Sequence, residues 1–253
     1  MRYAPIAPVS AAALIPDTGY DFCFAEYALR YPEYAEVYRR KAAAGNFVIM
    51  DTLRYEDEPL MDLEDLRVAV RAVRPSAVIP PDVLGDLDGT LDLLDTYAPL
   101  ADLTSTMPVA QAQSVEGFIW AATVISERSG YLALPGPVLK RLGISRPSLL
   151  MTLCERLPKM PLIHLLGMPD ISELREVRNN QYVMGIDSAK AVSLGLKGLR
   201  WNPKTTEEEL HRHHNFFEIT RSYVQLCSTD IQYNIAFVNM HLERKNDGFT
   251  YDI

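Results

Sequence analysis

Nowhere in the 253 residues does an apolar run approach the roughly 20 consecutive residues that a membrane-spanning helix requires. The opening segment, MRYAPIAPVSAAALIP, has one basic residue and a broken apolar run, so it reads as a first strand and not as a signal peptide. Cysteine is scarce: Cys23, Cys154 and Cys227 are odd in number, far apart and without a C-x-x-C pair. That argues against a disulfide framework and a thiolate zinc site, fits a cytoplasmic location, and leaves the thiols as small apolar side chains. No G-x-G-x-x-G follows the first strand, which argues against a dinucleotide-binding sheet. No linker, internal repeat or low-complexity segment stands out.

Positive charge is in deficit too, and a net of −8 argues against a general nucleic-acid coat. The distribution is uneven. Residues 51–102 hold thirteen acids and four bases, whereas 138–204 hold eleven bases and five acids. One side of the protein is therefore expected to suit a phosphate backbone while the whole stays acidic. The plain alternative is an ordinary solvated helix surface.

What the chain has in quantity is apolar residues, 48% of the total, enough for a full core in a length typical of one closed α/β barrel. Short apolar runs lie at 5–15 (in part), 47–50, 77–80, 107–110, 131–134, 162–166 and 182–186, with a weak eighth at 198–201. Helical patterns fill 22–44, 62–73, 87–97, 114–129, 146–157, 170–178 and 188–195. Strands that alternate with helices and lack strict in–out alternation indicate parallel βαβ units covered on both faces. The expectation is one domain over residues 1–253, a (β/α)8 TIM-type barrel in which 205–253 form a mainly helical closing segment.

In such barrels chemistry sits where each strand runs into its helix. Reading only those positions yields Asp51 after FVIM, Asp82 after AVIPP, Gln111 after MPVA, Gly136 after YLALP, Gly167 after LIHLL, and Asp187 with Lys190 after YVMGI. Three carboxylates and a glutamine would converge on one mouth, and neighbouring carboxylates raise one another's pKa, separating a proton donor from a nucleophile. Each has a plainer reading: Asp82 or Asp86, and likewise Asp187, as helix N-caps, and Asp51 as one more acid of a polar loop. His164, inside its strand, reads as a satisfied core histidine, and Lys190, in a first helical turn, as a phosphate contact or a solvated group. His211 and His214 share a helical face, but no strand-end ligand completes a metal site, so no metal and no cofactor are expected.

Five segments in order, VIMDTLRYE, VIPPDVLGDLDGTL, MPVAQAQSVEGF, IHLLGMPDISEL and GIDSAKAVSLG, give residues 47–195 a pattern that resembles the tRNA-guanine transglycosylases and their DNA-acting relatives. That family exchanges a guanine in a nucleic acid for a 7-deazaguanine on a (β/α)8 barrel. The resemblance implies Asp187 as the nucleophile toward the sugar C1′ and Asp51 as the group that moves the proton of the departing base. It implies Asp82 and Gln111 as the grip on the heterocycle, with backbone groups from Leu134 to Gly136 beside it. Thr52, Leu53 and Arg54 stand where small residues are usual, and Ala112 where glycine is. The family's three-cysteine, one-histidine zinc module is missing, which points to the short, phage-type branch and to DNA before tRNA.

The function expected is thus a guanine transglycosylase acting through an aspartyl-glycosyl intermediate, with DNA (or tRNA) and a 7-deazaguanine base as partners. Arg175, Arg178 and Lys190 would contact phosphates, no membrane is involved, and a homodimer is left open. Two alternatives use the same residues: a hydrolase or lyase on a small nucleoside or sugar phosphate, and a non-catalytic nucleic-acid-binding barrel.

Overall fold

The computed structural model describes residues 1–53, 59–168, 171–202, 204–206, 209–210 and 216–243. Eight strands are present among them: β1 Arg2–Pro5, β2 Tyr20–Phe24, β3 Phe47–Asp51, β4 Ala77–Val78, β5 Ser105–Thr106, β6 Tyr131–Pro135, β7 Leu162–Leu166 and β8 Val183–Ser188. They form two four-stranded sheets, ordered β1-β8-β7-β6 and β2-β3-β4-β5, and every pairing is parallel. The segment after β5 reaches β6: Val109 bridges Ala133, whose N–H donates to the Pro108 carbonyl at 2.9 Å. At the other junction β1 and β2 lie against each other without a ladder.

The helices are α1 Ala25–Arg30, α2 Pro32–Ala43, α3 Leu63–Val73, α4 Leu87–Thr96, α5 Val115–Arg128, α6 Gly136–Arg141, α7 Arg146–Arg156, α8 Ile171–Val177, α9 Lys190–Leu196, α10 Arg221–Leu226 and α11 Ser228–Leu242. Side-chain caps start several of them: Asp62 for α3, Asp86 for α4, Ser114 for α5 and Ser145 for α7, each accepting an orphan backbone N–H of the first turn. α11 packs on α9 so closely that a Cβ on Gly195 would stand 2.6 Å from Ile231. No helix among the described residues is long and apolar enough to cross a membrane.

Two apolar clusters account for the strand composition. The larger joins the strands to the helices; the smaller lies on the opposite strand faces and gathers Tyr20, Phe22, Ile49, Ile79 and Met107 with Ala4 and Ala133 of the other sheet. Strands buried on both faces lose the period-two signal, which is why they read as unbroken apolar runs.

Four local expectations need correction. The 22–44 stretch begins as strand β2 and only then becomes α1 and α2, which are separated at Tyr31 by Pro32. The first strand ends at Pro5, and Val9–Leu14 is a 3-10 turn. The 198–201 run is no strand: it follows α9, and the Trp201 N–H is taken by Asn234 Oδ1 at 2.6 Å. The 107–110 strand is displaced to Ser105–Thr106, since Pro108 has no N–H to give a ladder.

Candidate active site

The C-terminal ends of all eight strands, and the residues just after them, border one cavity of about 530 Å³. Ile6 follows β1, Phe24 comes from β2 and Asp51 from β3, Asp82 follows β4, Gln111 follows β5, Gly136 follows β6, Gly167 follows β7 and Asp187 lies in β8. The four polar groups expected to meet therefore do meet. Phe22, Phe24, Leu166, Met168 and Phe217 supply apolar wall, with Phe24 and Phe217 edge to face at 5.5 Å.

Neither Asp82 nor Asp187 is a helix cap. Asp86 does that work for α4, accepting the Gly89 N–H at 3.1 Å, so Asp82 is turned to Gln111 instead. At α9 it is Ser188 Oγ that accepts the Lys190 N–H, at 3.0 Å, while Asp187 faces the cavity. Gln111, 1% exposed, is held at both ends of its amide: Oε1 accepts the Gly85 N–H at 2.9 Å, and Nε2 donates to Asp82 Oδ2. This fixes which way the amide faces.

The two remaining carboxylates have contrasting surroundings. Asp51, half-buried in the cavity wall, has its carboxyl pushed well above the usual carboxylate range. Desolvation is the main cause, opposed by the Thr52 N–H and reinforced by the charges of Asp82, Asp187 and Glu26. Asp187 is 5% exposed, and its Oδ1 takes two hydrogen bonds, from the Gly167 N–H at 3.0 Å and with His164 Nε2 at 3.0 Å. Both fall on one oxygen, so Oδ2 is the oxygen that can act on a ligand.

His164 and its second partner, Tyr20 at 2.8 Å from Nδ1, are both 0% exposed. A strand histidine is legible as a satisfied core residue; that its partner is Asp187 is not, because the contact depends on the β7–β8 register. Glu26, which accepts the Leu53 N–H at 3.0 Å and adds to the field at Asp51, lies in the 22–44 stretch, whose helical pattern conceals β2. Phe217 sits in a 3-10 turn of the closing segment, where sequence carries no positional signal.

Some expected residues lie elsewhere. Leu134 is wholly buried, and its carbonyl is within 3.5 Å of Arg146 Nη1. Arg146 itself, 2% exposed, pairs with Glu173 and donates to the carbonyls of Leu166 and Gly167 at 2.9 and 2.8 Å. It is a buried strut for the ends of β6 and β7, not a member of a phosphate-facing surface. Arg175 and Arg178 lie at the end of α8 that leads into the start of β8, away from the cavity. There they meet His241, by its ring at 3.2 Å and its carbonyl at 3.3 Å. Of the three expected phosphate contacts only Lys190 borders the cavity, where Lys140 joins it. Arg54, His211, His213 and His214 lie outside the described residues, and among the described ones no group of three or more His, Cys, Asp or Glu converges to hold a metal ion.

The chain matches no protein-family model and no curated protein.

Proposed function

We propose that this protein is a (β/α)8-barrel transglycosylase that exchanges a guanine in nucleic acid, DNA before tRNA, for a 7-deazaguanine. The observation that carries the reading is the pair Asp51 and Asp187 on one cavity. One carboxyl is biased toward its protonated form, and the other, also in the cavity wall, is anchored through a single oxygen, Oδ1. Closure of the barrel is supported by the strand order, in which β8 returns to β1 and the β5 segment reaches β6.

Asp187 Oδ2 attacks C1′, the C1′–N bond breaks with its electron pair leaving on the base, and Asp51 gives that base a proton. The incoming base then returns a proton to Asp51 as its nitrogen attacks C1′, and the ester oxygen leaves as the Asp187 carboxylate. Two inversions retain configuration. The Asp82 carboxylate beside the locked Gln111 amide suits a guanine edge, whose N1–H and 2-amino group donate and whose O6 accepts. Lys140 and Lys190 at the rim suit phosphates flanking the extruded nucleoside.

The test is incubation with radiolabelled guanine and, separately, plasmid DNA, heat-denatured DNA and bulk tRNA. Acid-precipitable label is expected in one of them, and Asp187→Asn should abolish it while folding normally. Release of free base without incorporation would move the assignment to a nucleoside hydrolase. Undiminished exchange by Asp187→Asn would overturn the mechanism.

A further inference from the structure

Behind Asp187, out of reach of the cavity, a line of hydrogen bonds crosses from one sheet to the other. Tyr20 on β2 meets His164 Nδ1 at 2.8 Å, and His164 Nε2 on β7 meets Asp187 Oδ1 at 3.0 Å. Its direction follows from chemistry. A carboxylate only accepts, so Nε2 carries the hydrogen; in the neutral imidazole Nδ1 is then an acceptor and the Tyr20 O–H its donor. Burial pushes the Tyr20 hydroxyl well above the usual phenol range, against Arg2 and with help from Asp187, so it remains a donor. The imidazole is fixed by packing as well, stacked on Phe22 at 5.8 Å between ring centres.

Gly185 makes the crossing possible. A Cβ there would stand 2.3 Å from the Tyr20 ring, so the tyrosine occupies space that any other residue on β8 would fill. A buried tyrosine, a buried histidine and a glycine with no side chain thus converge behind one carboxylate. Packing alone would not call for two polar groups at this depth.

We propose that Tyr20 and His164 are positioning residues that set the balance between the free Asp187 carboxylate and its glycosyl ester. The inference rests on Asp187 being the nucleophile. The Nε2–H donor serves the carboxylate better than the ester, because a hydrogen bond to an ionised acceptor is roughly twice as strong as one to a neutral acceptor. The chain therefore stabilises Asp187 as it leaves C1′ in the second displacement, keeps the ester from accumulating, and aims Oδ2 at the sugar. Neither residue touches the substrate.

The experiment reads the ester directly. The protein is mixed with end-labelled plasmid fragments, or with tRNA if that is what incorporates guanine, at a fixed guanine concentration. It is brought to equilibrium, quenched in denaturant and resolved on a denaturing gel, with the attachment site read by mass spectrometry. In His164→Leu the ratio of ester to free protein should rise about tenfold, the difference between a charged and a neutral hydrogen bond. Tyr20→Phe should raise it only about twofold, since it removes polarisation of that bond and not the bond. His164→Gln, whose Nε2 can donate from the same place, should stay near wild type. The double variant Tyr20→Phe, His164→Leu leaves no polar group stranded, guards against a folding defect, and should match His164→Leu.

An unchanged ratio in all four variants, with exchange merely slowed, overturns the inference and leaves the proposed function standing. No ester on Asp187 in either the wild type or His164→Leu, where it should accumulate, overturns both.

Discussion

Ionising Asp51 is costly in the folded protein, and that has opposite consequences for activity and for stability. Its folded-state pKa is raised, chiefly by desolvation, above the value it has in the unfolded chain. Stability from this group is fully present below the unfolded pKa and is lost as pH rises toward and through the folded one. Asp51→Asn should therefore melt with the wild type in acid, where both side chains are neutral, and above it at neutral pH. The same variant should lose about 10²–10⁴ in exchange rate, the usual worth of general acid–base help. A Tm gap that closes instead of opening with rising pH would contradict the assignment. Of the polar site residues, Asp51, Asp82, Gln111 and Asp187 were legible because each stands directly after a strand-like run. His164, Tyr20 and Glu26 were not, because their roles depend on which strands pair and in what register.

At the scale of elements, the α4 region separates two aspartates that look alike in PPDVLGDLDGT. Asp86 caps the helix and Asp82 meets Gln111. Asp86→Ala is expected to cost about 1 kcal/mol of stability and leave exchange intact. Asp82→Ala should do the reverse: near-native melting, and loss of discrimination among guanine, hypoxanthine and adenine in competition assays. Both variants behaving alike would undo the division of labour. Strands β3, β6, β7 and β8 and helices α3, α4, α5 and α7 begin or end within a few residues of their sequence patterns, because caps and apolar runs are local signals. β2 was hidden: YDFCF abuts a helix without an intervening turn, so its aromatic residues merged into the longer helical pattern that follows. The turn residue that betrays it is Gly19, just upstream, at φ +67°.

For the whole molecule, net charge said less than the placement of a few cations. The basic stretch 138–204 is not one face: Arg146 is interior, Arg175 and Arg178 serve the C-terminal end of α11, and Lys140 and Lys190 stand at the cavity. Cations suit a helix C-terminus, where carbonyls lack partners. Arg175→Glu with Arg178→Glu should thus cost about 1–2 kcal/mol in stability and leave affinity for DNA nearly unchanged. Lys190→Ala should weaken binding across sequences and reduce the salt slope by about one. Filter binding from low to high salt, beside denaturant melts, distinguishes the two. Equal losses of affinity in both variants would restore the view of a single phosphate-facing surface.

Gly167 has a use beyond holding Asp187. With φ at +68° its N–H is directed to Asp187 Oδ1, while its carbonyl is held by Arg146. If Asp187 forms the proposed glycosyl ester, that amide is a built-in spectroscopic probe of it. In ¹⁵N–¹H spectra its proton should resonate downfield while the carboxylate is free, and move upfield each time the oxygen pair becomes an ester. A single backbone resonance would then follow turnover without a label on either substrate.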